Sequence, residues 1–225
     1  MPDGATDVVI KVRGREPENL VYGTTTARSD LPLEFGSHYL GICFRPGQSR
    51  HFLNATASEL TDRSEPGKGL LRFELASIPE AIPSGDVFRR LNEVLERFVI
   101  KNPPIRTKID DVIQFVEVAK GNVQIRDAAD MFGKCDRQFQ RVFLETVGIN
   151  PKLFSMIMRF QHASTLIASS SLSLSRIATE CGYADQSHMT HDFTRLASKP
   201  PTALVRNDVV FLQDLLRPTL QNELS

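Results

Sequence analysis

Two short stretches of this chain carry side chains suited to recognising another molecule. Arg137, Gln138, Gln140 and Arg141 form the first; Gln186, Ser187, His188, Thr190 and His191 form the second. Arg and Gln end in planar groups that match guanine and adenine edges in the major groove of DNA, and Ser, Thr and His can bond bases or phosphates. Each stretch closes a repeated pattern. Ala129, Gly133, Phe139 and Phe143 recur as Ala178, Gly182, Met189 and Phe193, with the paired glycines about 50 residues apart. Each copy reads as a short helix, a glycine turn and a second helix with a polar outer face. Two helix-turn-helix patterns in one chain predict a molecule that reads two adjacent turns of DNA.

Other chemistry finds less support. His188 and His191, with Cys181 and Asp185 close in sequence, could suggest zinc, but Cys181 falls on the apolar side of its helix and both histidines face out. Cys135 at a helix N-terminus could be a redox-sensitive thiol, or simply a serine-sized cap residue. His38, His51, Glu34 and Glu59 could be imagined as an iron site, yet no His-x-His pair is present. No Gly-rich phosphate loop, nucleophile elbow or paired-carboxylate cleft is evident. No cofactor and no enzymatic activity are therefore expected.

The elements that position the two stretches follow from periodicity. In the first unit a supporting helix spans Val123 to Phe132, Gly133 supplies a positive-φ turn, and the reading helix runs from Asp136 to Thr146. Phe139, Val142 and Phe143 form its buried stripe. Asn150 is a good N-cap and Pro151 suits the first helical position, so a spacer helix runs from Lys152 to about Ala168. In the second unit Leu174, Ile177, Ala178 and Cys181 mark the supporting helix, Gly182-Tyr183 the turn, and Asp185 to Leu196 the second reading helix.

Upstream the character changes. Val8 to Arg13, His38 to Phe44 and Leu70 to Leu75 are short, β-prone and bounded by breakers, which predicts strands. Asn54 to Asp62 predicts one short helix, and Ile78 to Gly85 a breaker-rich connection. Asp86 to Lys101 has an apolar helical face (Val87, Leu91, Val94, Leu95, Phe98, Val99) that serves either a dimer or coupling contact or its own domain. Asn102-Pro103-Pro104 stops that helix. After Arg206, Val209 to Leu216 would add a last helix.

The whole chain of 225 residues has no net charge. The halves differ, however. Residues 1–105 hold 13 Lys/Arg against 14 Asp/Glu, whereas residues 118–206 hold 11 against 7 and three of the five histidines. The sign of that excess favours phosphate contact. No apolar run approaches a membrane span, and the start has no signal-peptide character. Three scattered cysteines suggest no disulfide framework, so a cytoplasmic location is expected.

Residues from about 106 to 206 resemble the DNA-binding domain of the AraC/XylS family of bacterial transcription regulators. The resemblance rests on Arg137-Gln138-Phe139-Gln140-Arg141-Val142-Phe143, Gly148-Ile149-Asn150-Pro151, Arg159-Phe160-Gln161 and Gly182-Tyr183-Ala184-Asp185-Gln186-Ser187-His188, in order and in register. It implies seven helices, with base or backbone contacts from Arg137, Gln140 and Arg141 and from Gln186, Ser187, His188, Thr190 and His191. Lys134, Cys135 and His191 depart from the usual residues. The segment preceding the helix that begins at Asp86 is similar to the cupin-type β-folds of such regulators, in an incomplete form, through His38–Gly47 and Glu59–Arg63.

The expected class is α+β with two domains. Residues 1–85 form a mostly-β, cupin-like sensor or oligomerisation domain, and 86–105 a linker helix with its Pro-Pro break. Residues 106–206 form an all-α tandem helix-turn-helix domain of about seven helices, and 207–225 a tail. The expected partners are double-stranded DNA, with RNA polymerase, a small-molecule effector and a second copy of the chain as further candidates, and no membrane. The residues leave activation and repression open. The alternative is a cupin-like small-molecule-binding protein or metalloenzyme with a helical scaffold.

Overall fold

The computed structural model of the protein describes residues 1–13, 16–29, 33–81 and 85–204. The expected helix at Val209 to Leu216, and the tail that holds it, lie outside those residues. Two layers follow one another along the chain: an antiparallel sheet with flanking helices, then an all-helical region.

Among the described residues, four strands make the sheet, β1 (Thr6–Arg13), β2 (Glu16–Tyr22), β3 (His38–Phe44) and β4 (Ser64–Pro66), in the order β3-β1-β2-β4. Alternation along β1 turns Val8, Ile10 and Val12 to one side, where they meet Val21, Leu40, Ile42 and Phe44. Register aligns Val8 with Val21 and Ile42, and Ile10 with Leu40. Helices α1 (Ala57–Leu60), α2 (Ile78–Ala81) and α3 (Val87–Lys101) follow. Leu91 and Phe98 of α3 are buried in the sheet's core, with Val87, Val94, Leu95 and Val99 partly so. The apolar face of α3 thus packs on its own half. Phe98 fixes it there, its ring 5.4 Å from Phe52 and 5.8 Å from Phe73.

Three expectations for this half need correction. Leu70 to Leu75 forms no strand; Leu71 makes one isolated bridge to Leu53, and Phe73 and Leu75 point into the core as irregular chain. The helix expected over Asn54 to Asp62 is the single turn α1, held by a capping box between Thr56 and Glu59. The Ile78–Gly85 connection opens as the short helix α2. Both β2 and β4 lack the β-branched alternation that marks a strand, and they form because β1 offers β2 a free edge and β2 offers one to β4.

Among the described residues, seven helices fill the second half: α4 (Lys108–Val118), α5 (Ile125–Phe132), α6 (Asp136–Val147), α7 (Pro151–Ser169), α8 (Leu174–Glu180), α9 (Gln186–Ala197) and α10 (Pro201–Leu204). Asn102, as expected, ends α3. The polar contacts that bind the halves include two joints. Arg50 grips Asp110 through Nη2 at 2.7 and 2.8 Å, and Gln48 Nε2 donates to the same carboxylate at 3.0 Å. Asp110 also accepts from Thr107 N and Oγ1, so one side chain caps α4 and ties it to the sheet half. Further along, Thr24 Oγ1 donates to Val147 O at 2.7 Å and Thr61 Oγ1 to Gly148 O at 2.6 Å. Gly148, at φ +90°, has no room for a Cβ beside Thr61 Oγ1 and Ala57 O, so this joint also requires glycine.

Two carboxylates of this framework titrate in opposite senses. Burial raises the pKa of Asp110, but the Arg50 guanidinium and the Thr107 donors outweigh it and hold it at about 2. Its stabilisation is complete above the ordinary carboxylate range and is lost as pH falls toward 2. Burial, with a contribution from the charge of Asp3, pushes Asp7 up to about 6. The fold therefore favours protonated Asp7, and stability is lost as pH rises from about 4 through 6. In chemical denaturation, Asp110→Asn is expected to cost about 2 kcal/mol at pH 7, with the deficit closing near pH 2. Asp7→Asn is expected to stabilise by about 1–2 kcal/mol at pH 7 and to remove stability change between pH 4 and 6. Equal curves for variant and parent at pH 7 would refute either assignment.

Candidate nucleic-acid interface

The first unit is assembled from its glycine outward. Ala128, Ala129 and Phe132 of α5 are buried, and Gly133 closes the helix in the left-handed conformation at φ +72°. Cys135 then stands at the N-cap of α6 in extended conformation, without a side-chain cap bond. Inside, Phe132, Phe139, Phe143 and Phe154 form a continuous aromatic row with centroids 5.6–5.8 Å apart. Burial of Phe139 and Phe143 turns Arg137, Gln138, Gln140 and Arg141 to solvent, as the spacing predicts. Among the described residues neither Arg137 nor Arg141 makes an ion pair, whereas Arg89 and Arg106 do. The outer face of α6 thus presents two uncommitted guanidinium groups flanked by carboxamides.

The second unit repeats the plan with different support. Ser173 caps α8 by accepting from Arg176 N. Gly182, at φ +75°, turns the chain, and a Cβ there would meet the Asn122 carboxamide at 2.6 Å. Asp185 caps α9, its Oδ1 accepting from His188 N at 2.7 Å. Met189, Phe193 and Leu196 point inward, and Phe160 of α7 meets Phe193 edge-on, centroids 4.7 Å apart. Gln186, Ser187, His188 and His191 are exposed. Thr190 is different: it is half-buried and its hydroxyl donates to Gln186 O, so it is less available than the spacing predicts. Arg195, which the sequence reading left out, is exposed one turn beyond His191 and belongs to the same strip; its spacing from His191 is the signal that could have found it.

Between the units runs α7, whose N-cap Asn150 accepts from Leu153 N at 2.9 Å and whose first residue is Pro151. Its 19 residues span about 28 Å at 1.5 Å per residue, a little longer than the sequence predicts. Ser198 ends α9 in the left-handed conformation, as Gly148 ends α6, and a proline opens the next helix each time.

The residues considered for other chemistry are not brought together. Cys181 is buried with its sulfur 3.4 Å from His162 Nδ1. Glu34 bonds Lys11, Glu59 bonds Thr56, and burial lowers the pKa of His51. Among the described residues no group of three His, Cys, Asp or Glu could hold a metal ion, and no helix is long and apolar enough to cross a membrane.

A family model described as "Helix-turn-helix domain" matches residues 128–207, and one described as "Domain of unknown function (DUF6597)" matches residues 1–66. No curated protein matches. Among solved structures, the xylose-binding transcription activator xylR is 16% identical with a TM-score of 0.42, over 48% of this chain and 29% of that one. The DNA-binding domain of AdpA, in complex with a target DNA, is 20% identical with a TM-score of 0.43, over 45% of this chain and 93% of that one. ToxT from Vibrio cholerae is 11% identical with a TM-score of 0.49, over 90% of this chain and 89% of that one. The weight falls on the family model, which spans both helix-turn-helix units from α5 to α10 and so coincides with the geometry above. Residues 128–207 thus carry a helix-turn-helix domain of the kind the family model describes, and the structure builds that motif twice.

Proposed function

We propose that the protein is a sequence-specific regulator that reads two adjacent major-groove segments, the first with α6 and the second with α9. One observation carries this reading: two helices present polar, outward faces from either side of the single helix α7. On α6, Arg137, Gln138, Gln140 and Arg141 have the donor and acceptor groups for base edges and phosphates. On α9 the equivalent group is Gln186, Ser187, His188 and His191, with Thr190 in a supporting place and Arg195 reaching backbone phosphate. Because the units are unlike in sequence, one chain suffices for an asymmetric site. The protein acts without catalysis, in the cytoplasm.

In this reading residues 1–85 sense or oligomerise, 86–105 link, and 106–206 read DNA. A signal received by the sheet half reaches the first unit through Arg50–Asp110 at the start of α4 and through Thr24 and Thr61 at the end of α6. A cleft of about 320 Å³, lined by residues of both halves that include Arg45, His51, Arg106 and Glu117, opens beside the first of these joints. An effector or a second copy that binds only one arrangement of the halves would shift DNA affinity by its preference between them.

Selection of bound duplexes from a random library, followed by hydroxyl-radical footprinting, tests the reading. The expected pattern is two protected tracts on one face, about 10 base pairs apart. Replacing Arg137, Gln140 and Arg141 together by Ala is expected to weaken binding at least tenfold and to reduce the salt slope by about 1–2. Failure to select any sequence at moderate salt would sink the regulator reading.

A further inference from the structure

The second reading helix rests on a buried polar cluster that the first lacks. Tyr183 and Asp192 are 4% and 2% exposed, and Arg159 of α7 is half-buried beside them. The Arg159 guanidinium lies over the Tyr183 ring, Cζ 5.2 Å from its centroid. Burial pushes the Tyr183 hydroxyl up, the charge of Asp192 adds to the shift and that of Arg159 opposes it. Arg159 Nε, Tyr183 OH and Asp192 Oδ2 are buried without a hydrogen-bond partner among the described residues. Such atoms are costly, and an apolar trio of similar volume would stabilise as well or better. Their polar character suits them to fixing an orientation, a role that apolar side chains do not fill.

That role is visible on the DNA side of the cluster. The Tyr183 ring meets the His188 ring edge-on, centroids 5.3 Å apart at 86°. Asp192 Oδ1 lies 3.7 Å from His191 Nδ1. Both histidines of the second reading face are therefore backed by a member of the cluster. The first unit shows what is missing without it. By the offset of the repeat, Lys134 and Val142 stand where Tyr183 and Asp192 stand, and Gln138 and Arg141 where His188 and His191 stand. Arg141 is long and reaches a base edge from a range of helix positions. A histidine is short, and which of its nitrogens faces the groove depends on how it is held.

We propose that Arg159, Tyr183 and Asp192 are positioning residues that set the roll of α9 on α7 and orient His188 and His191 for base readout. A roll of about 10° displaces a side-chain tip by about 1 Å at the radius of a helix, more than a hydrogen bond absorbs. Specificity at the second segment thus depends on residues that never touch DNA. The inference rests on α9 being a reader, as proposed above.

The test uses the full chain and the duplex selected by the parent protein. Asp192→Asn, which keeps shape and removes charge, is expected to retain the helical spectrum and protection of the first tract. Protection of the second tract is expected to fall about tenfold, with relaxed base preference there. The effects of Asp192→Asn and His191→Ala are expected to be non-additive in a double-mutant cycle on second-tract affinity. Should Asp192→Asn fail to fold, Arg159→Gln on the half-buried member reads the same split between tracts. Loss at both tracts equally, or at neither, overturns the inference. A parent chain that selects no duplex overturns the regulator reading instead, so the two failures are distinguishable.

Discussion

Phe154 and Phe160, six residues apart on α7, hold the DNA-reading half together. One packs against Phe143 of the first reading helix at 5.6 Å, the other edge-on against Phe193 of the second at 4.7 Å. Six residues advance a helix by about 9 Å and turn it by about 240°, so the two rings leave α7 on well-separated faces. Each unit alone is too small to bury its apolar side. Sharing α7 gives both a core and, in the same step, fixes where the two readers stand relative to each other. The separation of the two reading helices is thus a consequence of packing in a core where Phe143, Phe154, Phe160 and Phe193 are fully buried.

The loop after α4 tightens this arrangement. Gly121 passes so close to α7 that a Cβ would fall 2.0 Å from Ser155 O, and Asn122 fills the space that a side chain at position 182 would need. The turn of the second unit is therefore braced by the helix that opens the domain. Asp110 at the other end of α4 is tied to Arg50 of the sheet half. One helix consequently contacts the sheet half at its start and the second reading unit just past its end. Close approach and ion pairing, rather than a long linker, connect the halves.

Much of the reading half was legible because its signals are local. Glycines at positive φ, Asn150 before Pro151 and the Phe stripes are determined within one or two helical turns, and α5 through α9 fall within a few residues of where those signals put them. The sheet half was less legible. Leu70 to Leu75 has the composition of a strand, yet among the described residues Leu71 makes only an isolated bridge to Leu53, and Phe73 and Leu75 reach the core as irregular chain. Glu16 to Tyr22 has a proline and little alternation, yet pairs along its length with β1. Strand formation depends on an available partner, which spacing along one segment does not encode.

The sequence by itself determined that two helix-turn-helix units exist and which side chains each turns outward, because burial of one helical stripe dictates the opposite one. It also pointed to the family through motifs in register. Only the tertiary structure decided how those side chains are held. Thr190 is half-buried, Arg195 joins the outer strip, and Asp192 lies against His191 although a strip drawn on α9 alone would leave it unremarked. The reason is physical: helical periodicity fixes the direction of a side chain, but its charge partners and its freedom depend on elements distant in sequence, here the arginine that α7 brings beneath the second reader.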